Sequence, residues 1–259
     1  MGKVGEQEMV IEFHRAISSH NNAKVSDMLK RNKELAVTYL TDTASFEEIY
    51  NESTITFDGK NDIGLSPIVG VGIKGSAEAA RILLDNPIPY HKFDLVKALC
   101  SCAVNDNHEV AQEIIKVHKN IINDISPGWP GTPLYEAANS NAIETCKVLL
   151  AVREIQVNKA DQEGDTPLHI ASLNQHTEMI KLLLEQKDVH VNAFNRDGET
   201  PIYYTANQKN KKMEDVQLLL CQGADISKKN EWGRAPPFTK EEYNSILDSA
   251  IEKATISSK

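Results

Sequence analysis

The 259-residue sequence predicts an all-α fold, a solenoid of about seven helix–turn–helix units with degenerate end caps. Three observations carry this. A Thr-Pro-Leu/Ile run recurs at 34-residue spacing as Thr132-Pro133-Leu134, Thr166-Pro167-Leu168 and Thr200-Pro201-Ile202. Small residues follow each run, at Ala137-Ala138, Ala171-Ser172 and Thr205-Ala206. A Glu and then a leucine run complete each copy: Glu144 with Leu149-Leu150, Glu178 with Leu182-Leu183-Leu184, Glu214 with Leu218-Leu219-Leu220. A fixed period of this length marks a supersecondary unit that buries its apolar face only against its neighbours.

Taken in order, the first unit is read in Phe13-His14-Arg15-Ala16-Ile17 and Val25 to Leu29, an amino-terminal capping pair over residues 1–37. Residues 38–63 then break the rhythm by about 22 residues beyond one period. They mix Phe46, Ile49, Tyr50, Ile55 and Phe57 with Thr, Ser and Asn, the composition of a binding loop, an extra hairpin or a lid. Repeats are expected over 64–239. Ser66-Pro67-Ile68 opens the second unit, with Gly70 and Gly72 at the small-residue positions and Ile82-Leu83-Leu84 at its end. The third runs from Ala98 to Ala103 and ends at Ile114-Ile115. The link from His118 to Gly131 is stiffened by Pro127, Trp129 and Pro130. The three clear units follow, the last with two extra residues around Lys209 to Met213. Gly233-Arg234-Ala235-Pro236 opens a final unit, and Lys240 to about Lys253 reads as a polar cap within 240–259.

Local chemistry agrees with this register. Thr before Pro caps the first helix, and Pro suits the first helical turn because its missing N–H has no partner there anyway. Leu134, Leu168 and Ile202 point inward. Gly164, Gly198 and Gly233 serve the turn that opens the next unit, and Gly223 suits a left-handed helix end.

The run Thr166-Pro167-Leu168-His169-Ile170-Ala171 resembles the ankyrin repeat, and the resemblance covers roughly the whole chain except residues 38–61. It implies that His169 bonds the backbone of the adjoining turn. It also implies that a partner protein is gripped by the turn tips and the concave face of the first helices. Position by position this selects Trp129, Asn139 and Ser140; Gln162, Glu163, Asp165, Leu173 and Asn174; Arg196, Asp197, Glu199, Asn207 and Gln208; and Glu231, Trp232 and Arg234. Phe194 joins them, because neighbouring units carry Ala or a polar residue at its position. Tryptophan on an exposed turn anchors partners, or else folds back on its own helix. Asp161, Glu163, Asp165, Asp197 and Glu199 gather on adjacent tips, which favours a basic or mixed-charge partner.

The net charge of -9 argues against nucleic acid. The densest basic run, Lys209, Lys211 and Lys212, is followed at once by Glu214 and Asp215 and reads as a solvated helix–loop face. No stretch approaches the ~20 apolar residues of a membrane span. Met1-Gly2 lacks a myristoylation context, since Glu6 stands where Ser or Thr is needed. Cys100, Cys102, Cys146 and Cys221 sit in apolar helical segments, as free thiols of a reducing, cytoplasmic compartment. Cys100-x-Cys102 has no second pair for a metal, and His108-Glu109 with His118 lacks the spacing that puts two imidazoles on one helix face. Gly70, Gly72 and Gly75 precede no Lys-Ser/Thr pair. Neither catalytic residues nor a cofactor or metal is expected.

The leading expectation is a monomeric, non-catalytic scaffold or adaptor. Two alternatives share its chemistry: a bacterial effector acting in host cytoplasm, to which the polar end from Glu241-Glu242 to Ser258-Lys259 is suited, and a regulatory subunit covering an enzyme's cleft. An enzyme in the insertion would have to use Asp42, Glu47, Glu48, Asp58 and Lys60.

Overall fold

The computed structural model describes residues 3–38, 49, 66–87, 89–239, 241–242 and 244–246. Most of the 38–63 insertion, including Asp42, Glu47, Glu48, Asp58 and Lys60, and most of the polar carboxyl-terminal segment lie outside the described residues. The described elements are helices, and they fall into two compact units, Met1–Lys159 and Ala160–Lys259.

The first unit holds α1 (Lys3–Ser18), α2 (Asn22–Arg31), α3 (Pro67–Lys74), α4 (Ala77–Leu84), α5 (Lys92–Asn105), α6 (His108–Val117), α7 (Pro133–Ser140) and α8 (Ile143–Leu150). Short 3-10 turns occupy Lys33–Val37 and Lys119–Ile121. Each odd helix packs on the next odd helix, and each even helix on the next even one, so that two rows share one core. Helices of eight residues, such as α3, α4, α7 and α8, are too short to persist alone. Their stability comes from burying Ile68, Val71, Leu99, Leu134 and Ala138 in one row and Leu83, Ile114 and Leu149 in the other. Close approach sets the small residues. A Cβ on Gly72 would collide with the Ala98 carbonyl oxygen of α5, so α3 needs glycine there. Cys102 is fully buried and packs as a small apolar group.

The second unit holds α9 (Pro167–Leu173), α10 (Thr177–Leu184), α11 (Pro201–Asn207) and α12 (Met213–Cys221). Again α9 packs on α11 and α10 on α12. Leu168, Ala171, Leu183, Ile202 and Leu219 fill the interior, while Leu182 is only half-buried. Gly223 ends α12 at φ +86, and the Ala224 amide closes back on the Leu219 carbonyl at 3.0 Å.

The described residues contain six helix pairs, and the seventh expected unit contributes its opening turn and helical residues at 241–242 and 244–246, the rest of it lying outside the described residues. Two expectations need correction. Capping by the residue before Pro is not uniform. Thr132 and Thr166 accept the amides of Tyr135 and His169, but Ser66 and Thr200 make no cap bond. The lysine run is not simply solvated. Lys211 pairs with Glu242 at 3.0 Å, and Lys212 reaches the Gln175 carbonyl at 2.7 Å.

First helices end in a way the hydrophobic pattern does not show. His20, Asp106, Asn141 and Gln175 take left-handed φ values of 57°, 51°, 57° and 53°, where glycine is the usual occupant. In each case the next amide bonds back to a carbonyl in the helix's last turn: Asn21 to Ala16, Asn107 to Cys102, Ala142 to Ala137, and His176 to Ala171.

Candidate protein-interaction surface

The turn tips of the second unit are built from one repeated device. Asp161, Asn195 and Asn230 each stand three residues before a glycine with φ of +85, +71 and +72, respectively. Each uses a single side-chain oxygen to hold two backbone amides. Asp161 Oδ1 accepts from Glu163 and Asp165 at 2.9 and 2.8 Å. Asn195 Oδ1 accepts from Asp197 and Glu199 at 3.0 and 2.9 Å. Asn230 Oδ1 accepts from Trp232 and Arg234 at 3.2 and 3.0 Å. The backbone closes each turn with a 3.0 Å bond from the amide of the first residue to the carbonyl of the fifth.

Successive tips are tied together. The Arg196 amide donates to the Glu163 carbonyl at 2.9 Å, and the Glu231 amide to the Asp197 carbonyl at 2.9 Å. Asn195 Nδ2 donates to Asp165 Oδ1 and to the Tyr204 hydroxyl, both at 2.9 Å, and that hydroxyl donates to Asp165 Oδ2 at 2.9 Å. Asn230 Nδ2 donates to the Tyr203 hydroxyl at 3.2 Å and to Glu199 Oε1 at 3.3 Å. Behind the tips His169 completes a capping box with Thr166, and its Nε2 meets the Glu199 carbonyl at 3.1 Å. This is the backbone contact expected of that histidine.

The tips are therefore internally satisfied, and what they leave outside is a set of side chains on fixed supports. Trp232 is 61% exposed and Phe194 51%, with the Lys228 ammonium 5.2 Å from the Phe194 ring centre. Gln162, Glu163, Arg196, Asp197, Glu231 and Arg234 are exposed beside them. On the first-helix ends Leu173, Asn174 and Asn207 are exposed and Gln208 is half-buried. Asp165 and Glu199 are also half-buried, and their carboxylates are used within the tip. Burial raises the Glu199 carboxyl above its ordinary range, and the negative charges of Asp197 and Asp165 add to this. Burial raises the Tyr204 hydroxyl as well, so it stays protonated and able to donate to Asp165. In the first unit Asn139 and Ser140 are exposed at the end of α7, while Trp129 is half-buried with its amide on the Ser126 carbonyl at 3.1 Å.

Several contributors escape a sequence reading. The sequence reading places Asp161 only in the acidic charge of the tips and does not select Asn195 or Asn230, although Asp or Asn three places before the turn glycine is a readable signal of their supporting role. Asn123 and Asn192 repeat a second bridge. Asn123 donates to the Glu154 carbonyl and accepts from the Gln156 amide, both at 2.8 Å. Asn192 does the same with Gly223 and Asp225, both at 2.8 Å. Phe93 and Val117 are exposed apolar residues of the first unit that the repeat pattern does not select.

A family model described as ankyrin repeats (3 copies) matches residues 99–195 and 134–230, which together span more than half of the chain. The chain belongs to the ankyrin-repeat family. No curated protein matches it. Ankyrin repeats are protein–protein interaction modules and the family is typically non-catalytic. Among the described residues no group of His, Cys, Asp and Glu could hold a metal ion. The buried thiols are unsuited to nucleophilic work in this ankyrin core: burial raises Cys100 and Cys102 well above the usual range and Cys146 to about 12. No helix among the described residues is long and apolar enough to cross a membrane.

Proposed function

We propose that this ankyrin-repeat chain is a non-catalytic adaptor that holds a partner protein on the turn tips and adjoining first-helix ends of its 160–234 region. One observation carries the reading. Trp232 and Phe194 stand 61% and 51% exposed on turns whose own polar groups are satisfied. Large aromatics on pre-ordered supports are the residues that dominate protein interfaces, because little order is lost when they bind. Glu163, Arg196, Asp197 and Glu231 supply the polar rim. The buried, unpaired thiols of Cys100, Cys102 and Cys146 suit a reducing compartment, and the chain acts as a monomer.

The test is affinity capture with quantitative mass spectrometry, comparing the wild type with the triple variant Glu163→Gln, Phe194→Ala, Trp232→Ala. All three side chains are exposed, so the variant keeps the wild-type melting temperature. Binding of the captured partner falls by about tenfold or more, as expected for loss of two aromatic anchors. A triple variant that holds its partner at wild-type affinity overturns the reading.

A further inference from the structure

The last described tip differs from the two before it. The residue just before the turn glycine is Glu163 on the first tip and Asp197 on the second, each offering its carbonyl to the next tip, and the equivalent residue on the third is Trp232. The rung from the Glu231 amide to the Asp197 carbonyl, 2.9 Å long, sets Asp197 beside the Glu231–Trp232 pair. The outcome is a 61% exposed indole on a turn where its chain neighbour Glu231 and, across the backbone rung, Asp197 both carry exposed carboxylates. Neither Asp197 nor Glu231 forms an ion pair among the described residues.

Local cations do not fill this place. Arg196 lies 4.0 Å from Glu163 with both side chains about two-thirds or more exposed, a pair that water and salt screen heavily. Arg234 forms no ion pair or ring contact among the described residues, and its amide and carbonyl are held by Asn230 at the base of the turn. Lys228 is placed over the Phe194 ring. An indole face attracts a cation, and flanking carboxylates add charge complementarity and orientation.

We propose that the Trp232 tip receives an arginine or lysine side chain from a basic segment of the partner protein, its cation lying on the indole face between Asp197 and Glu231. This rests on the tip-binding reading above and adds the partner's chemistry. The surrounding tips favour the same partner, since Glu163 extends the acidic line toward the preceding turn.

The experiment uses the full chain and a labelled heptapeptide of alternating Gly and Arg, read by fluorescence anisotropy at low salt. A second peptide carries citrulline, which keeps the shape of arginine without its charge. The arginine peptide binds and the citrulline peptide binds at least several-fold more weakly. Trp232→Ala, Asp197→Asn and Glu231→Gln each weaken the arginine peptide by about two- to fivefold, the size of an exposed cation–π or ion-pair contact. In a Trp129→Phe background, Trp232 is the only tryptophan and its emission changes saturably with the arginine peptide. Glu185→Gln, an exposed carboxylate after α10, leaves binding unchanged. Equal binding of the two peptides overturns the proposal. So does wild-type binding by the Asp197→Asn, Glu231→Gln double variant, or an equal loss with Glu185→Gln, which reports only general attraction to an acidic chain. If the arginine peptide fails while partner capture still depends on Glu163, Phe194 and Trp232, the cation subsite falls and the tip-binding reading stands.

Discussion

The Asp106 carboxylate accepts the Thr145 amide at 2.8 Å and so caps α8 from the preceding repeat. The cap position of α8 itself is Ala142, which has no side-chain acceptor to offer. The same exchange recurs elsewhere. Gln175 Oε1 accepts the Lys212 amide at the start of α12 at 2.9 Å, and His20 Nε2 meets the Lys74 carbonyl at the end of α3 at 2.7 Å. All three belong to the left-handed residues that end first helices. The turn that finishes one helix thus satisfies an orphan backbone group of the next repeat. This explains why these positions are not glycine, although glycine would relieve their backbone strain.

Asp106→Ala therefore removes a helix cap and keeps the strained backbone. It lowers stability by about 1–2 kcal/mol, the usual cost of a lost N-cap. Asp106→Gly loses the same bond but relaxes the left-handed residue, so its loss is smaller by about 1 kcal/mol. Asp106→Asn keeps the acceptor and stays near wild type. Urea denaturation of the three variants checks the order; equal losses for Ala and Gly show that the backbone is not strained.

Acid loosens the amino-terminal unit. His14 is fully buried, and burial lowers its imidazole to about 3. The unfolded chain takes up a proton below about pH 6.5, whereas the folded chain stays neutral. Above that pH the group has no effect. As pH falls from 6.5 toward 3, unfolding is favoured by about 1.4 kcal/mol per pH unit. Melting curves between pH 7 and 4 show the loss, and a His14→Gln variant, though less stable at pH 7, shows a shallower dependence. An equally steep slope in the variant assigns the acid sensitivity to other groups.

The extra residues between α11 and α12 act as an anchor. Lys211 binds Glu242 at 3.0 Å, lies 3.4 Å from the Pro237 carbonyl and sits 5.8 Å from the Phe238 ring centre. With 14% of the lysine and 26% of the glutamate side chain exposed, the pair is better shielded than a surface one. Lys211→Met costs about 1 kcal/mol. Hydrogen exchange monitors it: the amides of 238–242 exchange faster while those of α9 and α10 do not. Unchanged exchange at 238–242 means that apolar packing alone holds the segment.

Legibility in the sequence follows physical cause. The helices of Pro133–Leu150 and Pro167–Leu184 were readable because burial imposes a period on Leu, Ile and Ala, and Pro marks the first turn. The left-handed ends at His20, Asp106 and Gln175 were not, because their residue types answer to hydrogen bonds with a neighbouring repeat and carry no hydrophobic rhythm. Thr200 illustrates the converse: it matches the capping motif, yet makes no cap bond. At the surface, the glycine-centred turns located the tips, but burial separated their residues. Trp232 and Phe194 project outward, while Asp165 and Glu199 turn inward to Tyr204 and Asn230. A residue's place in a turn is periodic; whether its carboxylate is already occupied depends on residues about one repeat away.

Asn195 is where fold and function meet most closely. It accepts two amides of its own turn and donates to Asp165 and Tyr204, so it fixes one tip and joins it to another. Asn195→Ala removes all four bonds; at roughly 0.5–1.5 kcal/mol each, taken as non-additive, the loss is about 3 kcal/mol. Asn195→Asp is the sharper experiment. Asp161 proves that a carboxylate can hold the two turn amides. At position 195, however, the amide nitrogen faces Asp165 Oδ1 at 2.9 Å, and a carboxylate there sets like charges together. Asn195→Asp therefore keeps the turn but breaks the link between tips. It is destabilised at pH 7, and the deficit narrows toward pH 4 as the carboxylate pair gains a shared proton. Partner affinity falls with it, because Phe194 and Arg196 then stand on a loosened support. Denaturation and binding measured on the same samples distinguish the outcomes: loss of stability with wild-type affinity means that the partner does not read the 194–197 tip.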